Sequence, residues 1–216
     1  MKMMTDKTII TLSAVEHQLV CNTGWILTKH TIVNKVIELL GHLLIPMQAE
    51  TSTYKSSLPV EIFLKDPKIS KGENYQLLPY IILDYPRYFS VENTVSIRTM
   101  FWWGNFFSVS LLLSGTIKDR FVSTIIENFA LLQQKDFWVC INESPWLHHY
   151  AEDNFVEISA ITLADFKILL TGKVFIKLSR KINLQHWNII TLFIEETFQD
   201  LINLLKISYL NDEKDL

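Results

Sequence analysis

The chain has 216 residues, of which 49% are hydrophobic, 12% aromatic and 20% charged, and its net charge at pH 7 is −3. This composition is typical of a folded protein and excludes disordered and fibrous chains. The small negative charge predicts no nucleic-acid partner, because proteins that bind nucleic acids present a basic face. No uninterrupted apolar run reaches about 18 residues, so no membrane partner and no membrane span are expected.

The two cysteines, Cys21 and Cys140, do not have the spacing of a metal site. Cys140 lies in an apolar run, where a thiol behaves as a small hydrophobic side chain. Residues 1–8 contain no apolar core of the kind that a signal peptide needs. We therefore predict a reduced, soluble, cytoplasmic protein, and the absence of nucleotide-binding and metal-binding motifs predicts no cofactor.

Two helices are predicted in the N-terminal region. Ser13 and Glu16 have the spacing of a capping box, which starts the first helix. A longer helix is predicted over 28–44, and Pro46 is expected to end it. The polar segment 48–58 is a predicted loop.

From Pro59 onwards the pattern changes to strands and turns. The segments 60–64 and 78–84 are predicted strands, and the polar segment 65–74 between them is a predicted loop. Pro86 is expected to end the second of these strands, because proline cannot donate a hydrogen bond to a sheet.

The segment 75–113 is rich in aromatic residues and predicts a β-hairpin around the polar turn 90–94. Apolar and polar residues alternate through 95–113 on both sides of Gly104. Gly104 and Asn105 therefore form either a bulge or a tight turn. We favour the turn, which makes this region a three-stranded meander.

The rest of the chain mixes helices and strands. The predicted elements are a helix over 118–134, strands over 136–142, 155–159 (an edge strand) and 174–182, a short helix over 162–170, and a helix capped by Asn183 that runs to about Ile207. Lys177, Arg180 and Lys181 predict partial exposure of the strand over 174–182.

These elements predict a single α+β domain over 1–216. Its parts are an N-terminal helical pair over 1–47, a sheet-rich core over 59–182 and a long C-terminal helix over 183–207. The sheet is predicted to be largely antiparallel, with about five strands packed against helices.

Adjacent tryptophans on the predicted hairpin give the first functional hypothesis. Neighbouring residues of a strand point to opposite faces, so one of the two indoles should contact a second helix layer, a ligand or a partner. Aromatic side chains often anchor protein interfaces. We therefore predict a non-catalytic module that binds a partner protein or its own copy, as a homo-oligomer. The predicted binding residues are Trp102 and Trp103 as anchors, Arg98 and Arg87 at the rim, Tyr85 and Trp146.

The alternative hypothesis is a small-molecule site, or an acid–base or metal-assisted enzyme, at the strand ends. Asp84 and His148 would be its acid–base or ligand groups. A metal would use His148 or His149 with a remote partner such as Asp84 or His42, because adjacent histidines diverge too far to hold one ion together. The purely structural explanation is a cross-strand ion pair between Asp84 and Arg98, with the histidine pair in a solvated loop and one of the two histidines hydrogen-bonded to the sheet.

Overall fold

The computed structural model describes residues 10–206, so the predicted end of the last helix near residue 207 lies outside the described residues. Contacts divide the chain into two compact units, Met1–Val36 and Ile37–Leu216. The sequence-based assignment of one domain to the whole chain stays a prediction. The architecture of the described residues is α+β, as predicted.

The first unit contains helix α1 (Ala14–Val20) and the beginning of helix α2 (Thr23–Thr53). The predicted capping box starts α1. The Glu16 N–H donates to the Ser13 hydroxyl at 3.3 Å, and the Ser13 N–H donates to the Glu16 carboxylate at 2.7 Å. Two backbone donors at the helix start are thereby satisfied.

Helix α2 passes through Pro46, so the predicted end at this residue is wrong, and residues 48–53 of the predicted loop are helical. Proline removes one backbone hydrogen bond from a helix, but tertiary packing supplies most of the stability of a helix. Leu43 and Met47, on either side of the proline, are both buried in the second unit. Thr51, one turn later, is buried too. This packing continues the helix past a residue that would otherwise end it.

Seven strands in the described part of the second unit form one antiparallel sheet, where the sequence predicted about five. They are β1 (Lys68–Tyr75), β2 (Leu78–Phe89), β3 (Thr94–Trp102), β4 (Phe106–Ser114), β5 (Trp138–Cys140), β6 (Phe155–Glu157) and β7 (Phe175–Asn183). Their order across the sheet is β1-β2-β3-β4-β7-β5-β6. The predicted edge strand near 155–159 is indeed the edge strand β6.

Three strand boundaries differ from the prediction. Val60–Phe63 is a 3₁₀ turn rather than a strand. Most of the predicted loop 65–74 is β1, whose polar composition suits an edge strand because it pairs with β2 alone. Strand β2 continues past Pro86, and a register shift between Asp84 and Arg87 takes the proline out of the hydrogen-bonded ladder.

Both predicted hairpin turns are present. The turn after β2 is closed by the Ser90 N–H, which donates to the Asn93 carbonyl at 2.9 Å. Strands β3 and β4 pair directly after the turn, where Trp102 lies opposite Phe106. Gly104, in the turn between these two residues, has a φ of 73°. The Gly104-Asn105 pair is therefore a turn and not a bulge, as we favoured from the sequence.

Within the described residues, four α-helices follow the meander: α3 (Gly115–Glu127), α4 (Phe129–Gln134), α5 (Leu163–Gly172) and α6 (Ile190–Leu204). The predicted helix over 118–134 is divided at Asn128, whose side-chain amide donates to the Thr124 carbonyl at 2.8 Å. Such local bonds compete with regular helix geometry. Asn183 caps the C-terminal helical segment, as predicted, but its first six residues, Leu184–Ile189, form a 3₁₀ helix.

The meander strands are covered on both faces. Helices α3 and α6 contact β3 and β4 on the face that carries the buried residues Ile97, Phe101 and Phe107. We call this the helix face. The loop over 141–154 covers the opposite face, which we call the loop face. Its residues on β3 are Ser96, Arg98, Met100 and Trp102.

Gly115 connects β4 to α3 and has a φ of 64°. A Cβ atom there would overlap the Glu92 carbonyl oxygen, and we expect Gly115→Ala to lower the free energy of unfolding by about 3 kcal/mol. Gly104→Ala is the matched control, since its φ is 73° but a Cβ atom would meet open space. It should cost about 1 kcal/mol. Urea unfolding of the two variants measures the difference, and equal losses would contradict the steric explanation.

Candidate functional site

Four titratable side chains meet on the loop face and form what we call the polar cluster: Asp84 on β2, Arg98 on β3, Lys177 on β7 and His148 from the covering loop. Asp84, His148 and Lys177 are 6%, 9% and 2% exposed. Charged groups at this depth are rare unless they are paired, so each contact within the cluster matters for stability and chemistry.

Strand register brings Asp84 and Arg98 together, because the two residues are direct partners in the β2–β3 pairing. Arg98 Nε donates to Asp84 Oδ1 at 2.7 Å, and the adjacent terminal nitrogen donates to Oδ2 at 2.9 Å. The expected cross-strand ion pair is therefore bidentate, which fixes the plane of the guanidinium group. Its remaining nitrogen, Nη1, is aimed at His148.

His148 contacts a basic side chain at each ring nitrogen. Arg98 Nη1 lies 3.2 Å from Nε2, and Lys177 Nζ lies 3.3 Å from Nδ1. Burial, followed by the positive charges of Lys177 and Arg98, holds the pKa of His148 well below its usual range. The ring is therefore a neutral imidazole at physiological pH.

Lys177 is buried on the loop face, which corrects the exposure that the sequence predicted for it. The β4–β7 register places it opposite Leu112 and beneath the loop. Its Nζ lies 2.8 Å from the Pro145 carbonyl oxygen and 2.5 Å from that of Leu147. Burial lowers its pKa to about 7. Of the other two basic residues of the strand, Arg180 is half-buried and Lys181 is exposed.

His149 turns away from the polar cluster. Its ring contacts the Tyr75 hydroxyl at 3.1 Å and Asp153 at 3.3 Å. Tyr75 also accepts the backbone N–H groups of His148, at 2.6 Å, and of His149, at 3.1 Å, which fixes the loop to the end of β1. Within residues 10–206, no three His, Cys, Asp or Glu side chains are arranged to hold a metal ion.

A small cavity lies beside the cluster, between the sheet and the loop. Ser96, Arg98, His148 and Lys177 line its floor, and it has about 10 Å³ of space, which is room for about one water molecule. The Ser96 hydroxyl is buried and has no hydrogen-bond partner. Buried hydroxyls normally have one, so this oxygen is available to a small molecule.

Trp146 closes the outer side of this cavity. Its indole is 53% exposed, lies 6.1 Å from the Phe89 ring and covers the Arg98 guanidinium at 5.9 Å. An exposed aromatic pair above a polar floor provides an apolar wall for a ligand. Displacement of one side chain, Trp146, would enlarge the cavity.

The other predicted binding residues lie away from the polar cluster. Trp102 is 5% exposed on the loop face, and its indole N–H donates to the Tyr75 carbonyl at 3.2 Å. Trp103 is half-buried and packs edge-on against the Phe101 ring at 6.0 Å.

Arg87 and Tyr85 also lie outside the cluster. Arg87 is half-buried, and its Nε donates to the Asp66 carbonyl at 2.6 Å. Tyr85 is buried, its hydroxyl lies 2.5 Å from that of Thr51, and its ring stacks on Phe198.

Sequence reasoning missed Lys177, Ser96 and Tyr75 as parts of the site. A signal was present for Lys177, because it shares the alternating pattern of its strand with Ser179 and Lys181 on one face. Comparisons with protein families, with curated proteins and with solved structures gave no match. None of the helices in the described part of the chain has the length and apolar character needed to cross a membrane.

Proposed function

We propose that this protein binds a small, uncharged polar molecule in the cavity under Trp146, and that His148 is its acid–base group. The observation that carries the proposal is the unpartnered Ser96 hydroxyl in a cavity that is also lined by the buried side chains of His148 and Lys177 and by the partly buried Arg98. Perturbed titratable groups around a concave site are typical of functional sites.

The charges of the cluster favour a neutral ligand. Asp84 and Arg98 neutralise each other, His148 is uncharged, and burial lowers the pKa of Lys177 to about 7. An anion would gain little from a guanidinium that already binds a carboxylate through two nitrogens and His148 through the third. A neutral molecule could place an oxygen atom near Ser96 and an apolar part against Trp146 without the desolvation cost of a charge.

His148 is suited to proton transfer because its neutral ring has one donor and one acceptor. Arg98 fixes the ring from one side, and Asp84 fixes Arg98 in turn.

Ser96→Ala tests the proposal. We expect the variant to be as stable as the wild type, or more stable by about 1 kcal/mol, because an unsatisfied buried hydroxyl is removed. Uncharged fragments with one oxygen atom, identified by ligand-observed NMR, should bind it about tenfold more weakly.

Ser108→Ala is the matched control. Ser108 is buried in the same sheet and is hydrogen-bonded to Tyr150. Its loss should lower stability by about 1 kcal/mol and leave fragment affinity unchanged. Fragments that bind Ser96→Ala as tightly as the wild type, or no binding fragment at all, would contradict the proposed site.

The second candidate function is binding of a partner protein, or of a second copy, by the outer end of the meander. The observation in its favour is exposure of aromatic surface there. Trp187 is 42% exposed and contacts Phe101 and Phe107, and Trp103 is half-buried beside Phe101. Trp102 is too deeply buried to share this role. Light scattering of the wild type and of Trp187→Ala tests self-association, and monomers at all concentrations would contradict it.

A further inference from the structure

His148 has too few acceptor positions for two cationic neighbours. A neutral imidazole has one N–H and one lone pair. An arginine is always a donor, so the nitrogen facing Arg98, Nε2, must carry the lone pair. The proton of the ring is then on Nδ1 and points to Lys177 Nζ at 3.3 Å.

An ammonium group has three protons and no lone pair, so it cannot accept the Nδ1 proton. An uncharged amine can. Two N–H groups of Lys177 would donate to the Pro145 and Leu147 carbonyl oxygens, and its lone pair would accept the proton of His148. Each N–H of Lys177 and of His148 then meets an acceptor, and no two protons of this pair face each other.

The two carbonyl oxygens accept hydrogen bonds from an amine and from an ammonium alike, but the titratable side chains around Lys177 do not favour its charged form. Arg98 adds a second positive charge from β3, and His148 adds a neutral ring from the loop. The Cys140 thiol from β5 stays protonated, because burial raises its pKa. Asp84, the carboxylate of the cluster, is held by both nitrogens of Arg98. Burial with a pKa of about 7 agrees with the hydrogen-bond argument.

We propose that Lys177 is a nucleophilic amine that forms an imine with a small aldehyde or ketone bound in the cavity under Trp146. This inference rests on the proposed function and names the chemical class of its ligand. An uncharged lysine in a desolvated site is the form that attacks carbonyl compounds. Lys177 lines the same cavity as the unpartnered Ser96 hydroxyl, which can donate to the carbonyl oxygen.

The reaction balances without an oxidant or a reductant. The lone pair of Nζ forms a bond to the carbonyl carbon, and the oxygen takes a proton to give a carbinolamine. The carbon–oxygen bond then breaks as a second carbon–nitrogen bond forms. Both protons of the amine leave with the oxygen as water.

Reductive alkylation of the folded full-length chain tests this inference. Propionaldehyde and sodium cyanoborohydride are added at pH 7, and peptide mass spectrometry measures propylation of each lysine. A lysine of ordinary pKa near 10.4 is uncharged in a fraction of about 10⁻³ to 10⁻⁴ at this pH, against about half for a pKa of 7. We expect at least tenfold more label on Lys177 than on the exposed Lys167.

The variant Trp146→Ala separates the intrinsic reactivity of Lys177 from the access of the aldehyde to it. Removal of the indole should raise the labelling rate of Lys177 several-fold and leave Lys167 unchanged. The rate at Lys177 should level off above about pH 7, whereas the rate at Lys167 should rise up to about pH 10. Lys177→Met identifies the labelled peptide.

The experiments distinguish failure of the imine proposal from failure of the proposed binding site. If uncharged fragments bind the cavity and Lys177 is labelled no faster than Lys167 in either the wild type or Trp146→Ala, the imine is wrong and the binding site stands. If Lys177 is labelled selectively but Ser96→Ala changes no fragment affinity, the amine is established and the ligand-binding role of Ser96 is wrong.

Discussion

Arg98→Met is expected to lower the free energy of unfolding by about 3–5 kcal/mol, because the Asp84 carboxylate would remain in the sheet without its partner. Asp84 is 6% exposed, and both of its oxygens accept hydrogen bonds from Arg98. His148 would lose the donor to Nε2 in the same variant. Urea denaturation, followed by circular dichroism, measures the loss.

The matched control is Arg87→Met on the neighbouring strand. Arg87 is half-buried and donates its Nε–H to one backbone carbonyl, so its loss should cost about 1 kcal/mol. The double variant Asp84→Asn with Arg98→Met removes the uncompensated charge and should be more stable than the sum of the two single losses predicts. A loss below about 1.5 kcal/mol for Arg98→Met would show that Asp84 finds other partners.

Lys177 should make the stability of the protein rise with pH between about 7 and 9. Its pKa is about 7 in the folded protein and 10.5 in the unfolded chain, so the unfolded chain binds the extra proton in this range. The free energy of unfolding then increases with pH, with a slope of up to about 1.4 kcal/mol per pH unit from this residue. Below pH 7 both states are protonated and the gain is lost.

Comparison with Lys177→Met measures this contribution, since all other groups are common to both proteins. The unfolding free energy of the wild type minus that of the variant should increase steadily from pH 7 to pH 9. Lys167→Met, on the exposed side of α5, should give a curve parallel to the wild type. Parallel curves for Lys177→Met would mean that Lys177 is charged in the folded protein. They would also remove the basis of the imine proposal.

Local patterns in the sequence predict most of the fold. Alternation of apolar and polar residues locates β3, β4 and the turn between them, and the capping box locates the start of α1. Strand β1 was missed because its residues are polar, and a strand at the rim of a sheet needs no apolar stripe. The helix end predicted at Pro46 was wrong because the packing that continues α2 comes from residues far along the chain.

The candidate site was predictable only where one strand pairs with the next. Alternation placed Arg98 on the face that Asp84 could reach, and the register of β2 with β3 joins them. Alternation assigns Lys177 to one face of β7, but its burial there was not predictable. The two carbonyl oxygens that offset its burial belong to a loop about thirty residues earlier in the chain, and the sequence carries no periodic signal for such a loop.

The two outer strands of the sheet have a consequence for colloidal behaviour. Strand β1 carries Lys68, Lys71 and Glu73 along its open rim, and β6 at the opposite rim is three residues long. Charged or very short rims are poor templates for another extended segment, so growth of the sheet into fibrils is disfavoured at both ends. We therefore expect complexes of residues 10–206 to form through side-chain surfaces rather than through shared backbone hydrogen bonds.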